Sequence, residues 1–228
     1  MWPASDQPLR LALIGMSGVG KSHWSLNLGA LGYPVLSCDD RIERRLAPLL
    51  ESGGYTGIQG VAAWMGWPDS ATYAEREATY LREEIAVLDE ALSSLERDPE
   101  HPLVLDTTGS VIYAGTNLLL RLRRRMKVVY LKASGDELQL LTTRYLEDPK
   151  PVLWRGAFKP RPGETATDTV ERCYPVLIAA RRQGYEALAH VSLPTTLLRE
   201  LSPPGTSRNA LAGRALLERM AQLLPHHP

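Results

Sequence analysis

The stretch that most constrains this chain runs from Leu9 to Ala30, LRLALIGMSGVGKSHWSLNLGA. Leu11 to Ile14 is an apolar, strand-like run. It ends in Gly15-Met16-Ser17-Gly18-Val19-Gly20-Lys21-Ser22, a complete G-x-x-x-x-G-K-S, and Lys21 to Ala30 suits a helix. Strand, glycine-rich turn and helix are the context in which this spacing binds phosphate. Gly15 and Gly20 permit a backbone path that aims successive N–H groups inward. The helix N-terminus behind them adds partial positive charge. The expected phosphate cradle is therefore Gly15, Ser17, Gly18, Val19, Gly20, Lys21 and Ser22. Lys21 reaches the outer phosphates and the Ser22 hydroxyl ligates Mg²⁺. A glycine turn before an ordinary helix is the plainer alternative, but every constrained position and both flanks agree with the phosphate reading.

At 228 residues the chain suits one α/β domain with an insertion or a mobile lid, and 44% hydrophobic residues can fill a sizeable core. The formal net charge of +0 gives no general affinity for nucleic acid or membrane. No apolar run reaches membrane-spanning length, and the N-terminus lacks a signal pattern. Cys38 and Cys173 stand far apart without metal-ligand spacing, so a cytoplasmic protein with reduced thiols is expected. No repeat or low-complexity segment is present.

Residues 1 to 8 read as a loose leader, and Gly32 ends the first helix. Tyr33 to Ser37 reads as a short strand, running into Cys38-Asp39-Asp40-Arg41-Ile42-Glu43. Asp40 with Glu43 fits a capping box for a helix from Arg41 to about Ala47, ahead of Pro48. Asp39 has no capping role and lies at the end of a strand taken to adjoin the phosphate loop, where open α/β sheets place ligands. Residues 51 to 72 are glycine-rich and carry Trp64 and Trp67, with a short helix over Ile58 to Met65. This segment is either a flap that closes over substrate or plain packing. Thr72 to Leu95 is a long helix, its start a second capping box of Thr72 and Glu75. Tyr73, Tyr80, Leu81, Ile85, Leu88, Leu92 and Leu95 form its apolar stripe, and its charged residues mostly a solvated face.

Leu103-Val104-Leu105-Asp106 is a third strand ending in an acid. Downstream of a phosphate loop, such an Asp holds Mg²⁺, although a strand-end cap is the bland alternative. Asn117 to Arg125 is a helix whose terminal arginines suit a helix C-terminus. Lys127 to Leu131 is a strand, and Ser134 to Tyr145 a helix with Ser134 and Glu137 as its box. Residues 146 to 165 are proline-rich and basic, the pattern of a lid bringing cations such as Arg144, Lys150 and Arg155 over phosphates; an ordinary surface loop is the alternative. Asp168 to Ala189 is helical, interrupted or kinked at Pro175. His190 to Leu193 is a last strand. Ser202 to Thr206 is a loop, and Ser207 to Leu224 an amphipathic helix. His226 and His227 belong to a frayed tail, and no histidine is assigned a metal.

This order of parts resembles the shikimate kinase family, within the nucleoside-monophosphate-kinase-like group, over about Leu9 to Leu193. The L-I-G-M-S-G-V-G-K-S opening is close to that family's phosphate loop. Asp39-Asp40-Arg41-Ile42-Glu43 resembles its D-x-x-I-E, which implies that Asp39 binds the substrate hydroxyl. Lys150-Pro151-Val152-Leu153 resembles the lid's R-P-L-L, and Arg181-Arg182-Gln183-Gly184-Tyr185 its later R-x-x-x-Y, which implies a substrate-carboxylate role for Arg181. The implied fold is α/β and three-layered, a P-loop kinase fold with a five-stranded parallel sheet between helices and a mobile lid. Several positions depart from the pattern. Ser37 replaces the first Asp of D-x-D. Tyr73-Ala74-Glu75-Arg76-Glu77 replaces F-R-x-x-E, with Ala74 at an arginine position. Thr108-Gly109-Ser110 stands where three glycines are usual, and Lys150 replaces an arginine, losing its fork. The segment over 44 to 72 is also longer than usual.

The expected function is an ATP- and Mg²⁺-dependent small-molecule kinase acting on a hydroxyl of a small anionic acceptor. Lys21, Asp39 and Lys150 are its catalytic candidates. Gly15 to Ser22 and Arg144 hold nucleotide, Asp39, Gly109 and Arg181 hold acceptor, and Ser22 and Asp106 hold metal. A kinase for a nucleoside, nucleotide or sugar acid, and a non-catalytic nucleotide-binding module, remain as alternatives.

Overall fold

The computed structural model describes residues 8–135, 137–202 and 209–223. The residues expected as the leader before Pro8, as most of the loop after Ser202, as the helix start at Ser207 and as the tail with His226 and His227 lie outside them.

Five strands form one parallel sheet: β1 (Arg10–Ile14), β2 (Val35–Ser37), β3 (Leu103–Asp106), β4 (Lys127–Lys132) and β5 (Val191–Pro194), in the order β2-β3-β1-β4-β5. β1 lies at the centre between β3 and β4, with Leu13 opposite Asp106 and Val129. Leu11, Ala12, Leu13 and Ile14 are all fully buried, as a strand covered on both faces requires. β2 is an edge strand beside β3, not beside β1, which corrects the neighbourhood expected for it.

Helices cover both faces. α1 (Lys21–Gly29), α8 (Thr195–Leu201) and α9 (Ala210–Leu223) pack on one side around Leu11, Leu13, Trp24, Leu28 and Leu216. α9 lies so close to α1 that a Cβ on Gly213 would stand 2.5 Å from the Asn27 carbonyl oxygen. The other face carries α2 (Cys38–Glu51), α3 (Gly57–Met65), α4 (Tyr73–Arg97), α5 (Thr116–Arg125), α6 (Glu137–Glu147) and α7 (Ala166–Leu188).

α2 begins at Cys38, capped by Ser37 Oγ, which accepts from Asp40 N–H at 3.2 Å, so Asp40 is a capped residue and not the cap. α2 runs through Pro48 and α7 through Pro175. Each proline removes one backbone hydrogen bond, but Ile42, Leu46 and Leu50, and Tyr174, Leu177 and Ile178, bury the helix faces on both sides of it. Thr72 caps nothing with its side chain. Glu137 reaches back to the Ser134 N–H at 2.8 Å, half of the expected box. A full box of Thr165 and Asp168 opens α7 instead, two residues ahead of the expected start. α8 was not anticipated.

Residues 148–165 form neither helix nor strand. Val152, Leu153, Trp154 and Phe158 are nevertheless buried, Trp154 to 1% exposure. Trp154 meets Tyr145, Tyr174 and Phe158 edge-on, and Trp67, which follows α3, lies against Tyr145 and Phe158. Gln59 Nε2 donates to Asp148 Oδ1 at 3.0 Å. The segment expected as a free lid is thus docked, because its apolar side chains find a ready aromatic cluster.

Candidate active site

The phosphate loop sits at the carboxyl end of the central strand, where α1 begins. Gly15, Gly18 and Gly20 have φ of 140°, 82° and 100°, a path open to glycine. A Cβ on Gly15 would stand 2.7 Å from the Leu131 carbonyl oxygen. Lys21 is buried and donates to the Gly15 and Met16 carbonyls, both at 3.0 Å. A lysine has three donors, so one remains for a phosphate oxygen. Burial lowers its pKa, opposed by the charges of Asp106 and Asp39.

Two cavities flank Gly18. One, of about 210 Å³, is lined by Val19, Gly20, Trp24, Leu141 and Arg199 among others. The second, of about 240 Å³, is lined by Ser17, Tyr145, Asp148 and Lys150 among others. Arg144 borders both and donates to the Gly18 carbonyl at 3.0 Å. Lys150 is half-exposed, 3.6 Å from Asp148 Oδ2.

Asp106 ends β3 beside α1. Its Oδ2 lies 3.5 Å from Ser25 Oγ, and its Oδ1 is buried without a donor. Burial raises its pKa and Lys21 pulls it back. Among the described residues no three His, Cys, Asp or Glu side chains cluster as a metal site. A metal here would rest on Ser22, Asp106 and the phosphates, a donor set of hard oxygens that suits Mg²⁺.

Asp39 stands in the first turn of α2, partly exposed, its Oδ1 accepting from Tyr80 OH at 3.1 Å. Burial pushes its carboxyl up to about 6, with Lys21 drawing it down. The charges of Asp39 and Asp106 both favour the protonated form of Lys21.

Arg181 is 2% exposed. Its Nη1 donates to the Gly109 carbonyl at 2.7 Å and its Nη2 to the Leu153 carbonyl at 2.5 Å, while Nε has no partner. Its guanidinium lies over the Tyr113 ring at 5.2 Å. The structure therefore seats this arginine on main-chain carbonyls rather than in an open pocket. A Cβ on Gly109 would approach Ser17 N to 3.2 Å, so this turn abuts the phosphate loop. Arg76, near the replaced arginine position, donates to the Trp64 carbonyl and covers that ring.

Four participants escaped the sequence reading. Tyr80 holds Asp39, and Tyr185 OH donates to the Gly109 carbonyl. Glu77 Oε1 lies 3.1 Å from Tyr73 OH and accepts from Arg155 N–H, tying α4 to the docked segment. Glu84, on a helix whose charged residues are expected to form mostly a solvated face, is 2% exposed and accepts from Thr108 Oγ1 and Ser110 Oγ. Its signal was present: Glu84 falls four residues after Tyr80 and four before Leu88, inside the apolar stripe.

No family profile matches the chain, and no curated protein sequence does. Solved structures do resemble it. The shikimate kinase of Acinetobacter baumannii in complex with shikimate superposes with a TM-score of 0.57 at 24% identity, over 95% of this chain and 93% of that one. The shikimate kinase of Bacteroides thetaiotaomicron gives 0.58 at 18% identity, over 93% and 98%. That of Aquifex aeolicus gives 0.53 at 18%, over 94% and 98%. The resemblance drawn from motifs thus extends to the architecture: the chain has the α/β P-loop kinase fold.

Proposed function

We propose that this protein is an ATP- and Mg²⁺-dependent kinase that phosphorylates a hydroxyl of a small anionic acceptor. The observation that carries the reading is the convergence of Lys21, Asp106 and Asp39 just beyond the carboxyl ends of the neighbouring strands β1, β3 and β2, with Lys21 buried on the Gly15 and Met16 carbonyls. The glycine path of the loop and the donorless Asp106 Oδ1 fit a nucleotide and its metal. Bound ATP·Mg²⁺ would supply the transferable phosphoryl group and neutralise its charge. The N–H groups from Ser17 to Ser22, with Lys21, would hold the phosphates. Ser22 and Asp106 would hold the metal, and Arg144 would border the nucleotide. Asp39 would orient the acceptor hydroxyl and accept its proton, a role that a carboxyl near pKa 6 can fill at neutral pH. Lys150 would balance charge from the second cavity.

The anionic acceptor is supported by Arg181. A buried guanidinium held by two carbonyls, the Met16 sulfur and the Tyr113 ring, with an orphan Nε, has no carboxylate in ion-pair contact among the described residues. An acceptor anion would reach it by displacing the Leu153 carbonyl, which makes residues 146–165 a lid. On this reading the whole chain is one kinase domain with an acceptor-side insertion over about 44–72. The two free buried thiols, Cys38 and Cys173, support a cytoplasmic location.

The closed acceptor side, with Arg181 seated on carbonyls and Thr108 and Ser110 filling the turn, favours a second reading. That is a nucleotide-binding module without turnover. One experiment separates the two. ATP·Mg²⁺ is incubated with a panel of hydroxy acids, sugar acids, sugars, nucleosides and shikimate, and ADP release is followed. Acceptor-dependent release that needs both Asp39 and Arg181 is the expected result. No release with any acceptor, beside measurable ADP binding, would establish the module.

A further inference from the structure

At the end of the sheet opposite the phosphate loop lies a cavity of about 380 Å³, among the amino ends of β1 and β4, the turn ahead of β3 and the residue ahead of β5. Arg10, Arg123, Arg124, Arg125 and Lys127 all line it, and among the described residues Glu100 is its one acid. The topology gathers them. Leu11 pairs with Lys127 across β1 and β4, so Arg10 and Lys127 start neighbouring strands. α5 brings Arg123, Arg124 and Arg125 to its C-terminus just ahead of β4.

Arginines at a helix C-terminus answer to the helix dipole and to water. What sets these apart is how their charge is matched. Elsewhere Arg45 meets Glu83 and Glu90, Arg121 meets Asp89 and Glu96, and Arg172 meets Glu164. Around the cavity only Arg125 reaches an acid, Glu96 at 3.5 Å. Arg10 donates from Nε to the His101 carbonyl at 3.1 Å and from Nη2 to the Asp98 carbonyl at 2.8 Å. Arg123 Nη1 donates to the Leu188 and Ala189 carbonyls, both at 2.8 Å. These carbonyls fix two guanidinium planes and leave donors over on each. Arg124 and Lys127 have no side-chain hydrogen bond or ion pair among the described residues. His190 lines the same cavity and adds a donor. Its Nδ1 accepts from Val128 N–H at 2.9 Å, which puts the ring proton on Nε2. Burial, with the charges of Arg123 and Lys127, holds its pKa down to about 4, so the ring is neutral at physiological pH.

A concave site lined by cations and donors, on a chain of net charge +0, concentrates positive potential in one place. Arginine forks match the paired oxygens of a phosphate. The volume is that of a small-molecule pocket, and the acid-matched arginines beyond it do not extend it into a track for a nucleic-acid strand. We propose that this cavity binds a small phosphorylated molecule, at the pole of the sheet opposite the Gly15–Ser22 loop and independently of it. Arg124 and Lys127 contact the phosphate oxygens, and Arg10 and Arg123 stand ready oriented beside them.

The probe is tripolyphosphate, titrated by calorimetry without Mg²⁺ into the full chain. Lys21→Ala weakens the phosphate loop and should keep one site. Adding Arg124→Ser and Lys127→Ser to Lys21→Ala should weaken that site about tenfold or more. Adding Arg82→Ser and Arg214→Ser instead removes the same charge from two exposed positions elsewhere, and affinity should change less than about twofold. Glu100→Gln removes the opposing charge and should tighten binding. The His190 ring resonances should move with the ligand in Lys21→Ala and stay in place once Arg124 and Lys127 are replaced. No binding to Lys21→Ala at millimolar tripolyphosphate overturns the proposal. So do equal losses in the two paired variants, which mean a diffuse response to net charge. Tighter binding of a single-stranded oligonucleotide than of tripolyphosphate overturns it in favour of a nucleic-acid surface. If the Arg124 and Lys127 pair does not fold, Arg124→Ser alone, at an exposed position, carries the comparison. None of these readouts passes through turnover, so the kinase reading can fail without deciding them.

Discussion

Asp106 and Glu84 are both buried carboxyls, but they differ in what satisfies them. Asp106 Oδ1 has no donor, and a cation on the Ser22 side would satisfy it. Asp106→Asn keeps the shape and removes the charge. The Mg²⁺ concentration needed for half-maximal nucleotide binding should rise about tenfold or more, while metal-free ADP binding changes little. Superimposable Mg²⁺ titrations of the two proteins would make Asp106 a structural residue. Glu84 is satisfied by hydroxyls, and burial lifts its carboxyl from 4.5 to about 8, as it lifts Asp39 from 3.8 to about 6. Between those limits the folded chain keeps protons that the unfolded chain has released. Stability therefore falls as pH rises through this window. Above about 6 the Glu84 contribution dominates. The melting temperature should fall between pH 6 and 8 in the parent and stay flatter in Glu84→Gln. Parallel melting curves across that range would contradict the burial of an ionisable group at this position.

At the scale of elements, the segment over 146–165 shows what sequence punctuation conceals. Its prolines, glycines and cations read as a mobile lid. Its Val152, Leu153, Trp154 and Phe158 are what the fold uses. Their spacing fits no helix or strand, so periodicity had nothing to report. Tyr73 OH fixes the segment further, donating to the Val152 carbonyl at 2.9 Å and accepting from Trp154 N–H at 3.0 Å. A lid so held opens only by undocking Trp154. Trp154→Ala should cost about 3–5 kcal/mol of stability if the segment remains docked in the reference state. It should also make the chain between Lys150 and Lys159 a preferred site of proteolysis in the native protein. Cleavage there at the parent's rate, with stability unchanged, would show that the aromatic cluster does not hold the segment.

Across the whole molecule, what was legible was contiguous. The strand, turn and helix from Arg10 to Gly29 lie in one run of chain, so spacing alone carried the phosphate loop. The apolar runs of β3 and β4 and the stripe of α4 were legible for the same reason. What was not legible is decided by distant partners. Nothing near Asp39 says that β3 inserts between β2 and β1, or that Tyr80 from α4 meets Asp39. Nothing near Arg181 says that Gly109 and Leu153 seat it. These long-range meetings converge on the phosphate loop, so a ligand held there should stabilise the whole fold and not only the loop. At a hundredfold excess over its dissociation constant, ADP·Mg²⁺ should add about 2.7 kcal/mol. For a chain of this size that is a rise in melting temperature of about 5–10 °C. Lys21→Ala removes one charge-assisted phosphate contact and should shrink the rise at the same ligand concentration. If ADP·Mg²⁺ at millimolar concentration leaves the parent's melting temperature where it was, the Gly15–Ser22 loop is not a nucleotide site.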